Sequence, residues 1–391
     1  MLAIAIRIAQ RMGIHSESTL GTCTPFEAEL RRRLWWSLML FDTRINETTG
    51  SRVRVLDPTW DCNIPSNVND PDLRPEMKGL VFQSVGSTEG IFATVRSRIG
   101  NFIRNSEFHL DFLNPALKPI VQHMQNNLAL ESNRVANLEQ IIEEQYLSIC
   151  DQENPVHFMT IWASRAYLAK CRLLEHIAMY TDSPVRQTDL QLDRATAYAI
   201  RMLECDNKVM TSPLTRRFRW FSHAYFPFPA YMQIMQDLRK RPMSPNACQA
   251  WEVMSDNYDA WMGIQRRDDM LFHQIFGNFV LRAWEARDDL ARRSGESLRP
   301  PRIVTSIRQT LRSDPSNAKA ETPSTDANMG MDEFTVPRPL KVDDQSLPYS
   351  LGWQTMGPVY SSNGLGRMPS DSQIDQLDWT TFGGWPGWGG C

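Results

Sequence analysis

The chain has 391 residues, of which 42 are basic and 45 acidic, for a formal charge of −3, and 42% are apolar. That length exceeds a usual domain of about 100–200 residues, so one large core with a tail, or two domains, is expected. The near-neutral balance argues against a general polyanion binder, whose affinity comes from basic surface that neutralises phosphates. No stretch approaches the ~18–20 uncharged apolar residues of a membrane-spanning helix, so no membrane partner is expected.

In chain order, the first element is a helix near the start. Leu2, Ala5, Ile6, Ala9 and Met12 recur at helical spacing, with Arg7 and Arg11 elsewhere, which reads as a core helix whose upstream neighbours are missing. Thr24-Pro25-Phe26-Glu27 then has the form of a capping box, with Thr24 as N-cap, Pro25 at the first helical position and Glu27 reaching back. The helix it opens places Leu30, Leu34, Leu38 and Phe41 on one face, predicted to be the core face, and should end near Glu47–Gly50. From Asp57 to Pro75, prolines and Asx residues predict an ordered loop.

Two further helices are legible from periodicity. Phe158, Trp162, Ala166, Ala169, Leu173, Ile177 and Tyr180 step by three and four, and Phe272, Ile275, Phe276, Phe279 and Ala283 repeat the pattern. Alternating β-branched strands are almost absent, so the predicted class is all-α, an irregular multi-helix bundle with a disordered C-terminal tail. The composition changes at Pro300-Pro301: the last 92 residues hold 10 of the 24 prolines and 10 of the 20 glycines. Such a segment buries too little apolar surface to offset its ordering entropy.

The seven cysteines, Cys23, Cys62, Cys150, Cys171, Cys205, Cys248 and Cys391, never come closer than 21 positions. They lack the close pairs that aim two sulfurs at one zinc ion, and read as packed, reduced thiols. Asp268-Asp269 is the best magnesium candidate, but a third acid is missing at Phe272. Asp288-Asp289 meets Arg292. There is no Glu-x-x-His pair, no phosphate-binding glycine loop and no nucleophile elbow, so no enzyme is expected. Arg31, Arg32 and Arg33 fan over about 200° of a helix, at 100° per residue, and cannot line one DNA-facing stripe; structural pairing is expected.

The stretch Pro25-Phe26-Glu27-Ala28-Glu29-Leu30-Arg31-Arg32-Arg33-Leu34-Trp35-Trp36 carries the most information, with Gly13-Ile14-His15 before it and Asp42-x-Arg44 after it. Gly50, Asp57, Asp61 and Ile64-Pro65-Ser66-Asn67-Val68-Asn69-Asp70-Pro71-Asp72-Leu73 continue the pattern. Together they resemble the middle homology region of fungal-specific transcription factors, over Ala3 to about Met77. A weaker likeness extends to Arg219–Tyr225 and Leu238–Pro242.

The resemblance implies a nuclear regulator of RNA polymerase II transcription controlling a metabolic gene set. It implies three parts: residues 1–75 as the family-type core segment, 76–299 as the rest of the helical domain, and 300–391 as the tail. Implied partners are coactivators or a homo- or heterodimer partner, and a small-molecule effector. Zinc and DNA belong, in that family, to an N-terminal binuclear cluster whose six cysteines these residues lack. The alternatives are a shortened regulator without its own DNA reader, or an all-α metal-dependent enzyme using Asp268 and Asp269.

Physical expectations attach to the motif and to the tail. Trp35 and Trp36 cannot point the same way, so one should fill the core and the other cover a neighbouring helix or the loop. Glu29, Arg32, Arg33 and Asp42 should form a buried polar network that holds the loop. In the tail, Asp371, Asp375 and Asp378 alternate with Ile374, Leu377, Trp379 and Phe382, followed by Trp385 and Trp388, the acidic and aromatic pattern of activation segments. Charge repulsion keeps such aromatics accessible to a coactivator groove.

Overall fold

The computed structural model describes residues 1–49, 60–77, 86, 88–104, 128–181, 187–222, 225–262 and 270–312. Within them are twelve α-helices and no strand. They are α1 (Leu2–Arg11), α2 (Glu17–Leu20), α3 (Pro25–Thr49), α4 (Ile91–Arg104), α5 (Leu128–Ile142), α6 (Pro155–Thr181), α7 (Asp189–Thr211), α8 (Arg219–Ser222), α9 (Phe228–Lys240), α10 (Ala247–Met262), α11 (Met270–Arg293) and α12 (Arg302–Arg312). The predicted all-α class holds.

Three apolar clusters organise the helices. The first joins α1, α2 and α3 around Ile6, Ile14, Leu20, Trp35 and Trp36, with Trp60 and Cys62 contributed by the loop after α3. A second joins α4, α5 and α6 through Ile91, Val95, Ile99, Ile142 and Leu174. The largest spans α6 to α12, with Leu203, Tyr231, Met254, Trp261 and Val280 at its centre. Helix α6 contributes to two clusters: Ile161, Leu168, Cys171 and Leu174 face one, Ala169 and Leu173 the other. Its buried surface is therefore wider than the single stripe the periodicity predicted.

Helix ends follow ordinary capping chemistry. Thr188 accepts from the Gln191 backbone N–H at 3.3 Å while the Gln191 side chain accepts from the Thr188 N–H at 2.8 Å, a complete capping box at the start of α7. At α3 only half the box forms. Thr24 accepts from Glu27 N–H at 3.3 Å, but the Glu27 carboxylate turns to Arg31, one turn on. Helix α5 runs into a π-helical turn, Glu143–Leu147, which delivers Glu143 to a bidentate pair with Arg165 of α6 at 2.7 and 2.8 Å.

Two expectations are corrected. Leu30, Leu34 and Phe41 are not core residues: they are 44%, 49% and 45% exposed. At 100° per residue they fall largely opposite Ala28, Trp35, Trp36 and Met39, which do face the core. The two indoles bury far more apolar area than the leucines, and so decide which side of the helix turns inward. The second correction is the boundary at 299/300. Residues 302–312 form α12, whose Ile303, Val304 and Ile307 are buried in the main core. Arg302 anchors it to α10 through Asp256 and through Asp259 at 2.6 Å. Residues 313–391, including every residue of the activation-type segment, lie outside the described residues.

Candidate regulatory site

The Pro25–Trp36 motif on α3 builds a clamp for the loop that follows it. Glu29 is fully buried, and its Oε1 accepts from the Ser66 backbone N–H at 2.9 Å and from Arg33 Nε at 3.4 Å. Arg33 reaches on to Asp70 at 2.6 Å, and Arg32 stands 3.8 Å from Glu29. Arg32 also makes a two-pronged pair with Glu17 of α2 at 2.9 and 2.7 Å. That guanidinium holds the Glu17 carboxyl below its ordinary value, outweighing the opposing effect of burial. Glu17 in turn accepts from Asn63 N–H at 2.7 Å. Each of the three arginines thus has its own acid, as expected of structural arginines.

Asp42 stands too far along α3 to pair directly with Arg32 or Arg33. It lies nine to ten residues beyond Arg32 and Arg33, about 14 Å along the helix at 1.5 Å per residue. Glu17, which carried no sequence signal, supplies the acid that pairs with Arg32. Trp36 donates to the Asn63 carbonyl at 2.8 Å, so it is the tryptophan that holds the loop. Trp60 stacks edge-on against both indoles, with centroids 5.6 Å from Trp35 and 5.2 Å from Trp36. Both are buried within one cluster, and the loop's own tryptophan is what lets two neighbouring side chains share it.

Beyond Trp60 the loop is fastened to α4. The Pro65 carbonyl accepts from Thr94 Oγ1 at 3.1 Å, and Asn69 Oδ1 accepts from Glu89 N–H at 3.3 Å. Asn67 binds the Gly86 carbonyl and the Thr88 hydroxyl. Gly90 is needed for this approach: a Cβ there would stand 2.5 Å from the Val68 carbonyl oxygen. Gly100, on the facing side of α4, lets Leu40 of α3 come equally near, with 2.4 Å to a would-be Cβ.

Arg44 belongs to a different place. With Leu40 and Thr43 it lines a partly open cavity of about 90 Å³ where α3, α4, α6, α7 and residues of 221–222 and 225–229 converge. The charged lining residues are Arg44, Arg96, Lys170 and Asp206. Arg96 donates to the Tyr225 hydroxyl at 2.7 Å and lies 4.4 Å from the Phe221 ring centroid. Arg44 sits 5.3 Å from the Tyr225 ring, and Lys170 5.0 Å from the Tyr167 ring. Of the weaker likeness at Arg219–Tyr225, Phe221, Ser222 and Tyr225 line the cavity. Arg96, Lys170 and Asp206 carried no sequence signal, because their neighbours come from distant helices.

Asp206 is the only carboxylate in this lining among the described residues. Its Oδ2 accepts from Trp261 Nε1 and Asn257 Nδ2, both at 2.8 Å. Burial pushes its carboxyl from 3.8 up to about 6, against the two hydrogen bonds. A raised acid is more protonated in the folded than in the unfolded chain. Its contribution is therefore fully present below pH 3.8 and is lost as pH rises through about 6. Asp206→Asn should stabilise the protein above pH 6 by about 1–3 kcal/mol, and this advantage should vanish below pH 4. Urea midpoints of both proteins across pH 4–8 check this; parallel pH profiles would contradict it.

The described residues do not suit a zinc cluster. Cys23, Cys62, Cys150, Cys171, Cys205 and Cys248 are all free. Burial raises Cys62 to about 12 and Cys150 and Cys205 to about 11, keeping them as thiols. No group of three potential ligands occurs among the described residues. Asp268 and Asp269 lie outside them. Asp288 and Asp289 both pair with Arg292.

The described residues thus form a helical domain with a clamp on its third helix and a partly open cavity of about 90 Å³ beside it. Residues 1–80, which contain the whole clamp, match the model of the fungal specific transcription factor domain. The chain is 47% identical over 314 residues to the transcriptional regulator AacuB of Aspergillus aculeatus, across 80% of this chain and 42% of that protein. It is 26% identical over 383 residues to the aurofusarin cluster transcription factor aurR2 of Gibberella zeae, across 96% of this chain and 55% of that protein. A more distant relative is the C6 finger domain transcription factor nscR of Arthroderma benhamiae, 24% identical over 56% of this chain and 30% of that protein. The chain thus spans about half or less of the length of these relatives. No solved structure matches it.

Proposed function

We propose that the protein is a nuclear regulator of RNA polymerase II transcription, not a catalyst, and that these residues form its regulatory part. The observation that carries this is the 47% identity to a transcriptional regulator over 314 residues, 80% of this chain. DNA contact, and the zinc it requires, is assigned to a binuclear cluster module that these 391 residues do not contain. The body holds an effector or a dimer partner, and the acidic and aromatic tail recruits a coactivator.

The test is a reporter assay with the full chain fused to a heterologous DNA-binding module. Activation well above the module alone is expected, and it should fall at least fivefold when Trp379 and Phe382 are both changed to alanine. Equal activity in that variant would remove the aromatic mechanism. A fusion that neither activates nor represses would overturn the regulatory reading.

A further inference from the structure

The cavity beside the clamp-bearing helix is walled mostly by hydrocarbon, including Leu40, Ile99, Ile103, Met159, Met202 and Val209. Its charged groups have partners within the protein. Arg96 donates to the Tyr225 hydroxyl and lies against the Phe221 ring, and Arg44 and Lys170 are each engaged as well. Asp206 accepts at Oδ2 from Trp261 and Asn257. Ser164 differs from all of these. Its side chain lines the cavity and is 2% exposed, and its buried hydroxyl has no hydrogen-bond partner among the described residues. An unpaired buried hydroxyl is costly, and native proteins satisfy such groups with water or a ligand.

Water fits this space poorly. The cavity of about 90 Å³ would hold roughly three waters at ~30 Å³ each, and each wants about two to four polar partners. A charged ligand fits no better. An anion would find the three cations engaged and would also face Asp206, while a cation would face all three. We infer that this cavity binds a small neutral alcohol, its hydroxyl paired with Ser164 and its hydrocarbon body against the aliphatic wall. A hydroxyl both donates and accepts, so it satisfies Ser164 whichever way the serine O–H is turned. The volume sets the size: a cavity of about 150 Å³ holds benzene, so about 90 Å³ takes an alcohol of about four carbons. The walls come from α3, α4, α6 and α7, so a bound alcohol ties the clamp-bearing helix to its neighbours. The site deepens the regulatory reading by naming the effector's chemistry and rests on that reading for its role; the binding itself is measured without any transcriptional readout.

The probe is isobutanol, with isobutyrate and isobutylammonium as charged counterparts of similar shape, each titrated into the full 391-residue chain to about 20 mM. The readout is the ε-methyl NMR signals of Met159 and Met202, assigned by changing each methionine to leucine. Isobutanol should shift both signals in a saturable way, and the charged counterparts should bind roughly tenfold more weakly. Ser164→Ala removes an unpaired group, so it should fold as well as the parent, yet bind isobutanol roughly threefold or more weakly. Ala166→Leu puts a larger side chain on the cavity wall and should abolish the shifts; should it fail to fold, Ser164→Ala carries the test alone. No saturable shift, unchanged affinity in Ser164→Ala, or a charged counterpart that binds as tightly would each overturn the assignment. A reporter fusion that stays silent while isobutanol binds leaves this site standing and removes only the transcriptional role.

Discussion

Trp36→Ala should lower the stability of the domain by about 3–5 kcal/mol, the range for truncating a large, fully packed aromatic side chain. Trp36 is 3% exposed and does two things at once. Its ring packs edge-on against Trp60, and its Nε1–H supplies the Asn63 carbonyl at 2.8 Å. Truncation leaves a cavity beside Trp35 and strands a carbonyl in the loop. Trp60 then loses one of the two indoles that hold it, although Arg104 still covers its face at 3.6 Å. The loss should appear in the urea midpoint together with early exposure of the Trp60–Leu73 loop to proteolysis. Trp36→Phe, which keeps most of the apolar volume but not the hydrogen bond, should cost about half as much. A midpoint unmoved by Trp36→Ala would show that the loop is not part of the core.

Glu29→Gln should cost about 3 kcal/mol, the lower end of the effect of removing one member of a buried ion pair. The lower end applies because Arg32 and Arg33 keep Glu17 and Asp70, and each is about one-fifth exposed. Glutamine preserves shape and an acceptor for Ser66 N–H, so the loss isolates the charge. The contrast is Asp70→Asn. Asp70 is 66% exposed although its contact to Arg33 is short, and its removal should cost under about 1 kcal/mol. Chemical denaturation of the two variants side by side checks the ranking. Equal costs would mean that distance, not burial, sets the energetics of this network.

Moving the domain boundary from residue 299 to beyond Arg312 changes how the charge is read. Residues 1–299 carry 35 basic and 35 acidic side chains. Helix α12 adds Arg302, Arg308 and Arg312 and no acid, and two acids of α10 receive the first of them. The remaining 79 residues hold 4 basic and 10 acidic side chains. The formal charge of −3 is thus a body of +3 joined to a segment of −6, a sharper contrast than the composition change at Pro300-Pro301 suggested.

Much of this protein could be read from its residues alone. The all-α class, the span of α3, the loop after it and the structural use of three consecutive arginines all follow from periodicity, capping and side-chain chemistry. These are local properties, in which neighbours in the chain are neighbours in space. Only the structure shows that Trp36 is the indole bonded to the loop. What periodicity could not decide was which of two apolar stripes on α3 faces inward, because Leu30, Leu34 and Phe41 repeat as regularly as the tryptophans. Trp60, arriving from a loop some 25 residues on, breaks that tie by burying both indoles. The same holds for Glu17 as the partner of Arg32, and for the meeting of Arg44, Arg96, Lys170 and Asp206. Those groups come from four helices spread over more than 160 residues, and only their packing gives each the others as its environment.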